Sequence, residues 1–416
     1  MGMAPAELLS FDAALERVLQ AAATLQPPAV ERLPLLAALG RVLAAPITAD
    51  RDQPPFDRCT RDGFAVRATD AVAGAALRVT GSLRAGQAWS GQPLQPGCAI
   101  GIMTGAPVPP GADAVVMVEH VQRHGETLHL AADRTWHRGE NIVPQGSEAA
   151  AGAQLLAVGS ELAAPEIALA AACGLQHLSV YRRPRVAILA TGDELVEPGT
   201  ASSLLPAQIW NSNSFGIAAL VMEAGGDAVR LPIARDTRDE LRATLAQCRE
   251  ADLIVLSGGV SMGEFDLVEE VLAEHQAQFF FTGVRMQPGK PVVFGRLGGL
   301  SDRPGPYFFG LPGNPISTQV TFRCFAAPLL RALAGGVVAG PCFAQATLEE
   351  EVAARPGLTR VLPARLTSRY DGSTVRLVAW QGSGDQAAHA RSNCYAVLPA
   401  ARESLCAGER ISVLLR

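Results

Sequence analysis

Aromatic side chains are scarce, at 5% of 416 residues, whereas Gly (41) and Pro (29) are plentiful. Cores dominated by large rings are therefore excluded, and small-residue packing with many turns is expected. Lysine is almost missing: of 35 basic residues, Lys290 alone is not arginine. Positive charge is short overall. The formal net charge is −5, so no global positive field exists to hold nucleic acid, and an anionic ligand would need local groups. Long apolar runs are missing too. The charge-free stretch between Arg303 and Arg323 is broken by prolines and glycines, which excludes a membrane helix. Glu7 and Asp12 stand where a signal peptide needs an apolar run. The cysteines (Cys59, Cys98, Cys173, Cys248, Cys324, Cys342, Cys394 and Cys406) include no pair two residues apart. A zinc knuckle or a dithiol redox motif is thereby excluded, and scattered thiols fit a reducing cytoplasm. The expectation is a soluble cytoplasmic protein with no membrane and no nucleic-acid partner.

What is present is a long, 48% apolar chain, enough for two to four domains. Ser10 reads as an N-cap before Leu15, Val18, Leu19 and Ala22 at helical spacing, and Pro27-Pro28 ends that helix. A second helix is predicted near Leu33–Leu43. From Asp50 to about Glu140, short β runs alternate with Gly- and Pro-rich turns. Ala150–Cys173 returns to an Ala/Leu-rich helical pattern. The expected division is a helical linker or dimerisation domain (1–49 and 141–183), a β-rich insertion (50–140), an α/β domain (184–334) and a small C-terminal β-barrel-like domain (341–416).

The α/β stretch is the clearest. Arg185–Ala190, Ala228–Ile233, Leu253–Ser257 and Pro306–Gly310 read as strands. Asn213–Glu223, Arg238–Cys248, Leu267–His275 and Pro315–Leu333 read as helices. Strict strand–helix alternation predicts a parallel sheet with crossover helices. The fold class is thus α/β multidomain.

Ligands of such sheets bind at the carboxyl ends of strands. Three of those ends carry unusual loops: Thr191-Gly192-Asp193-Glu194, Ser257-Gly258-Gly259-Val260-Ser261-Met262-Gly263-Glu264-Phe265-Asp266, and Gly310-Leu311-Pro312-Gly313-Asn314-Pro315-Ile316-Ser317. Glycines let backbone amides approach an anion, and the following helix adds its dipole. Asp193, Glu194, Asp236, Glu264 and Asp266 would repel a phosphate unless Mg²⁺ bridged them. Gly-Gly and Pro-Gly also make ordinary turns, and acids also cap helices. Three such loops on one sheet edge favour a phosphate or nucleotide site. Lys290 sits in the turn Gln287-Pro288-Gly289-Lys290-Pro291, and a lone ammonium in an arginine-rich chain suits a point-charge anion binder. Asp62-Gly63 reads as a turn and Thr104-Gly105 as a strand end. His120, His124 and His129 have no metal-ligand spacing, and Cys59 has no neighbouring histidine to activate it.

Taken together, Asp62-Gly63-Phe64-Ala65, Thr104–Val116, Thr191–Leu195, Ser257–Asp266, Pro288–Pro291 and Leu311–Ser317 resemble the molybdopterin molybdenumtransferase family (MoeA), related to the gephyrin E domain. The resemblance covers about residues 5 to 335. Beyond that it is carried by Arg391-Ser392-Asn393 and Leu398-Pro399. It implies a homodimer with a molybdopterin-binding-like central α/β domain. It further implies an enzyme that inserts molybdate into adenylylated molybdopterin and releases AMP, with Mg²⁺ as cofactor. Residue by residue, it implies Asp236 and Asp266 as Mg²⁺ ligands, and Ser261, Lys290, Pro291 and Ser317 around molybdate. By the same resemblance Gly258, Gly259, Pro312, Gly313 and Asn314 would line the substrate. Asp62, Thr104, Asp193 and Glu194 position it, with Asp62 and Thr104 coming from the other subunit. Arg360 and Ser383 are the candidates for an Arg and a Ser that relatives supply from the C-terminal domain. Two departures stand out: Gln287 replaces a lysine common in relatives, and Cys59-Thr60-Arg61 replaces Ser-Ala-Met before Asp-Gly. Molybdopterin adenylyltransferase and recipient molybdoenzymes are the expected partners. The rival readings are that adenylyltransferase itself, a gephyrin-like scaffold without catalysis, and a generic nucleotide-binding α/β protein. The flanking segments argue against the first, the lack of a long linker to a second catalytic domain against the second. The third lacks a Gly-x-Gly-x-x-Gly motif after a strand.

Overall fold

A computed structural model of the chain describes residues 8–259, 267–299 and 304–416. Its centre is a six-stranded sheet in the order Asp227–Arg230, Arg185–Ala190, Leu253–Ser257, Tyr307–Leu311, Val293–Arg296, Gln278–Phe281. The first four are parallel, with Val186 opposite Leu253 and Leu253 opposite Tyr307. The last two are antiparallel. The parallel strands Arg185–Ala190, Leu253–Ser257 and Tyr307–Leu311 are almost wholly buried, as continuous apolar runs covered on both faces must be. Helices Asn213–Glu223, Arg238–Gln247 and Leu267–Glu274 match the predicted crossovers. The long helix predicted over Pro315–Leu333 is present, interrupted by a π turn at Phe322–Ala326.

Ser10 accepts a hydrogen bond from the Ala13 amide (3.2 Å) and caps the helix Phe11–Ala23, as predicted. Phe11, Ala14, Val18 and Ala22 form its buried stripe. That stripe joins the core of the α/β sheet, with the Phe11 and Phe325 rings 5.5 Å apart.

The helix predicted near Leu33–Leu43 is instead a strand, Val30–Pro34, and a short 3₁₀ turn, Leu35–Ala38. The strand pairs with His177–Tyr181, Val30 facing Tyr181. In Ala150–Cys173 only Ala164–Ala172 is helical, and Gln154–Leu156 pairs with Ile47–Thr48. Partners this distant in sequence override local helical spacing.

The β-rich insertion forms a six-stranded sheet in which Gly63–Val66 lies between Ala114–Met117 and Cys98–Ile102. It holds two apolar clusters of its own, one around Trp136 and one around Cys59.

At the C-terminus, Thr359–Arg369 pairs with both Gly372–Leu377 and Cys394–Leu398. Phe343–Leu348 pairs with Gly372–Leu377 and Arg410–Leu415, and Arg410–Leu415 closes onto Cys394–Leu398. The five strands thus form a closed barrel, which removes free edges. Met286–Gln287 adds to it as a sixth strand, with Gln287 opposite Arg360. Val361, Tyr395 and Leu414 of the barrel belong to the same apolar cluster as the α/β core.

His389 is buried at this junction, with Nε2 2.6 Å from the Tyr395 hydroxyl. Burial, then Arg416 and Arg323, push its pKa down to about 4. As the pH falls below the ordinary histidine value of about 6.5, the unfolded chain binds a proton that the folded chain refuses until about 4. Stability is expected to decline across that window and to be insensitive to this group above it. Urea midpoints measured from pH 7.5 to 4 check this. The His389→Gln variant should show a shallower slope; an equal slope would remove His389 as its source.

Candidate active site

The carboxyl ends of the parallel strands open into a cavity of ≈ 620 Å³. Thr191, Glu194, Ser257, Gly258, Gly313 and Asn314 line it, so all three predicted loops contribute to one space. Their mutual contacts fix the shape. Thr191 N–H donates to the Ser257 carbonyl (3.1 Å), and Gly192 N–H to the Ala234 carbonyl (3.3 Å). Gly258 must be glycine: its φ is +95°, and a Cβ there would lie 2.6 Å from the Thr191 carbonyl oxygen. Asn213 ties two loops together, donating through Nδ2 to Ser257 Oγ (3.0 Å) and to the Gly313 carbonyl (2.7 Å).

The acidic residues lie at the rim. Asp193 and Glu194 are exposed, and Glu194 borders the cavity. Asp236 is exposed and accepts a short hydrogen bond from the buried Thr191 hydroxyl, which brings the second strand's carboxylate to the first strand's loop. Ser261 and Asp266 lie outside the described residues. Among the described residues no group of three or more His, Cys, Asp or Glu side chains gathers as a metal site.

Pro312 and Ser317 are buried. Ser317 lies in the first turn of the helix that follows Asn314, and its carbonyl accepts the Thr321 hydroxyl (2.7 Å). Gly259 is next to Gly258, with φ +66°.

The Lys290 ammonium is exposed, and among the described residues it makes no hydrogen bond or ion pair. Its backbone is fixed: the Lys290 carbonyl accepts from Val284 N–H (2.9 Å), and the half-buried Pro291 follows. Gln287 accepts from Arg360 Nε (3.0 Å), and Arg360 also donates to the Ala353 carbonyl (2.7 Å). Burial first, then Arg355, holds Arg360 below the ordinary guanidinium value. Gln287 thus anchors the Arg360 guanidinium. Ser383 lies on the barrel loop that reaches the cavity, where its carbonyl accepts from Ile316 N–H (2.9 Å). Gly384 and Gln386 of that segment line the cavity, and Gln386 Nε2 donates to Ser212 Oγ (2.9 Å).

Asp62 and Thr104 are together but elsewhere. Asp62 Oδ1 accepts from Thr104 N–H (2.7 Å) and from the Thr104 hydroxyl (2.8 Å), and those bonds hold the carboxyl below its usual range. Among the described residues no hydrogen bond joins their sheet to the central domain. The neighbouring Cys59 is buried, donates to the Arg61 carbonyl (2.8 Å), and is pushed up by desolvation, which suits a packing thiol.

Several lining residues were not read from the sequence: Gln208, Ile209, Trp210, Asn211 and Asn213. Trp210 and Ile209 form a two-residue strand beside Leu195–Val196, and both are exposed. The signal was an apolar pair directly before Asn211-Ser212-Asn213 at a helix start.

Three family models match in succession: MoeA N-terminal region (domain I and II) over 9–174, probable molybdopterin binding domain over 187–332, and MoeA C-terminal region (domain IV) over 345–415. A Nostoc sp. protein named molybdopterin molybdenumtransferase is 38% identical over 333 residues, 77% of this chain and 74% of its own. One of that name from Staphylococcus epidermidis is 33% identical over 91% of this chain and 89% of its own. This chain belongs to the molybdopterin molybdenumtransferase family. A crystal structure of the molybdopterin biosynthesis MoeA protein from Pyrococcus horikoshii OT3 superimposes with a TM-score of 0.81 at 26% identity. It covers 99% of this chain and 100% of that one. The predicted fold class and family resemblance are both borne out. No helix among the described residues is long and apolar enough to cross a membrane.

Proposed function

We propose that this chain is a transferase of molybdenum cofactor biosynthesis: it takes adenylylated molybdopterin and molybdate, inserts molybdenum into the dithiolene and releases AMP. The observation that carries the reading is the convergence of the Thr191, Gly258 and Gly313 loops on one cavity at the sheet's carboxyl edge. Such a cavity offers backbone amides and a helix start to a phosphate-linked substrate. The Lys290 ammonium and the Arg360 guanidinium, with the Ser317 region, would hold molybdate, a tetrahedral dianion that suits charge-assisted donors. Asp193 and Glu194 would orient the substrate at the rim. AMP departs when an oxygen from molybdate or water adds to phosphorus and the phosphate–phosphate linkage breaks, and the two dithiolene sulfurs replace molybdate oxygens, which leave as water or on the phosphate.

Mg²⁺ fits the donor set, because it needs only one or two carboxylates plus phosphate oxygens. Asp236 is exposed beside the Thr191 loop and would hold it together with Asp266. The ion would supply charge neutralisation at the phosphates. Asp62 and Thr104 are not among the described residues that line the cavity of their own chain, so the reading takes them from a second copy. Leu36, Leu39 and Leu175 are exposed and supply apolar surface for such a homodimer.

Purified protein mixed with adenylylated molybdopterin, Mg²⁺ and molybdate should release AMP in a molybdate-dependent manner; absence of release would reject the reading. The Asp236→Asn variant should need several-fold more Mg²⁺ for half-maximal AMP release. An unchanged Mg²⁺ titration would remove Asp236 as a ligand.

A further inference from the structure

We propose that the outer face of the C-terminal barrel carries a second oxyanion site, for a phosphate-bearing ligand, built on Arg365, Arg376 and Arg391. The register places Arg365 directly opposite Arg376 on adjacent antiparallel strands. Their neighbours Ala364 and Val375 are buried, so both guanidinium groups point outward on the same face. Like charges directly opposite each other destabilise a sheet. Among the described residues neither arginine makes a salt bridge, and Arg365 donates only one long hydrogen bond, to the Arg391 carbonyl (3.4 Å).

The pair lines a cleft of ≈ 1070 Å³ together with Arg391, the half-buried Trp380, Gln381 and a single carboxylate, Glu350. Asp385 is held below its ordinary value first by amide bonds from Ala388 and Gln381, and only lastly by Arg391. Arg365 and Arg376 also border a neighbouring depression that holds Glu349, Arg369 and Asp371, but among the described residues no salt bridge ties these carboxylates to either arginine, and toward the Trp380 cleft three cations face one lining carboxylate. Planar guanidinium groups match phosphate oxygens two at a time, which a carboxylate-poor cleft leaves available. Among the described residues the cleft shares no lining residue with the substrate cavity. The Gln381–Asp385 segment stands between the two, with Gln381 facing the cleft and Gly384 the cavity.

Pyrophosphate is the probe. Calorimetric titration of the wild-type chain and of R365Q/R376Q should show a site in the wild type whose affinity falls at least tenfold in the double variant. The R376E chain should gain thermal stability without ligand, because the cross-strand pair becomes attractive, and should lose the pyrophosphate-induced rise in Tm. Equal titrations of wild type and R365Q/R376Q, or no binding by either, would overturn the site. AMP release by the double variant should stay within twofold of wild type. A fall in step with pyrophosphate affinity would assign these arginines to the substrate cavity and reject a separate site.

Discussion

Replacing Lys290 with alanine is expected to lower molybdate-dependent AMP release by roughly 10²-fold or more, the usual cost of removing one donor aimed at a reacting oxyanion. The fold should be untouched. The side chain is exposed and has no partner among the described residues, and such surface substitutions change stability by no more than about 0.5 kcal/mol. Lys290→Arg separates charge from shape: a planar fork on a longer reach should restore only part of the rate, since the compact ammonium presents its donors differently. Single-turnover AMP release at saturating molybdate, alongside a melting curve, checks both halves. Normal turnover by Lys290→Ala would take this residue out of the chemistry.

Gly63→Ala is expected to destabilise the β-rich sheet by about 3 kcal/mol or more, as overlap with a fixed backbone does. A Cβ at Gly63 would lie 1.9 Å from the Val116 carbonyl oxygen, at the first residue of a strand that is paired on both sides. Gly101 is the internal control. It lies on the adjacent strand, and its added Cβ would meet Ser82 Cβ at 3.5 Å, an ordinary contact. Gly101→Ala should therefore cost about 1 kcal/mol or less. Equal losses in the two variants, read by urea unfolding, would refute the steric argument. Because Asp62 precedes Gly63, the damaged sheet should also displace the Asp62–Thr104 pair and depress AMP release.

The α/β domain was legible because its signals are local. Arg185–Ala190 and Leu253–Ser257 are unbroken apolar runs, and the helices between them carry their own periodicity. Val30–Pro34 and Gln154–Leu156 were not legible, because their partners His177–Tyr181 and Ile47–Thr48 lie over a hundred residues away. Nothing in a window of ten residues encodes such a pairing. The two antiparallel strands at one end of the sheet, Gln278–Phe281 and Val293–Arg296, were missed for the related reason that they break the strand–helix rhythm.

At the site the glycine loops announced themselves through composition, since backbone approach demands glycine. Asn211, Asn213 and Trp210 did not. Their residue types are common in turns and surfaces, and only the strand ends behind them make them convergent. The hydrogen bond from Arg360 to Gln287 was likewise invisible, because it needs a parallel pairing across more than seventy residues.

Met286–Gln287 is stitched into the barrel wall three residues before Lys290, and Val293–Arg296 just beyond it runs in the central sheet. Tyr395 and Leu414 meanwhile press into the same oily interior as Phe322 and Phe325. The terminal barrel is therefore no detachable appendage. Cutting the chain near residue 340 would bare a greasy flank and leave the turn that carries the lone ammonium without the strand that braces it. A clone shortened there should come out as insoluble material rather than as a slower enzyme.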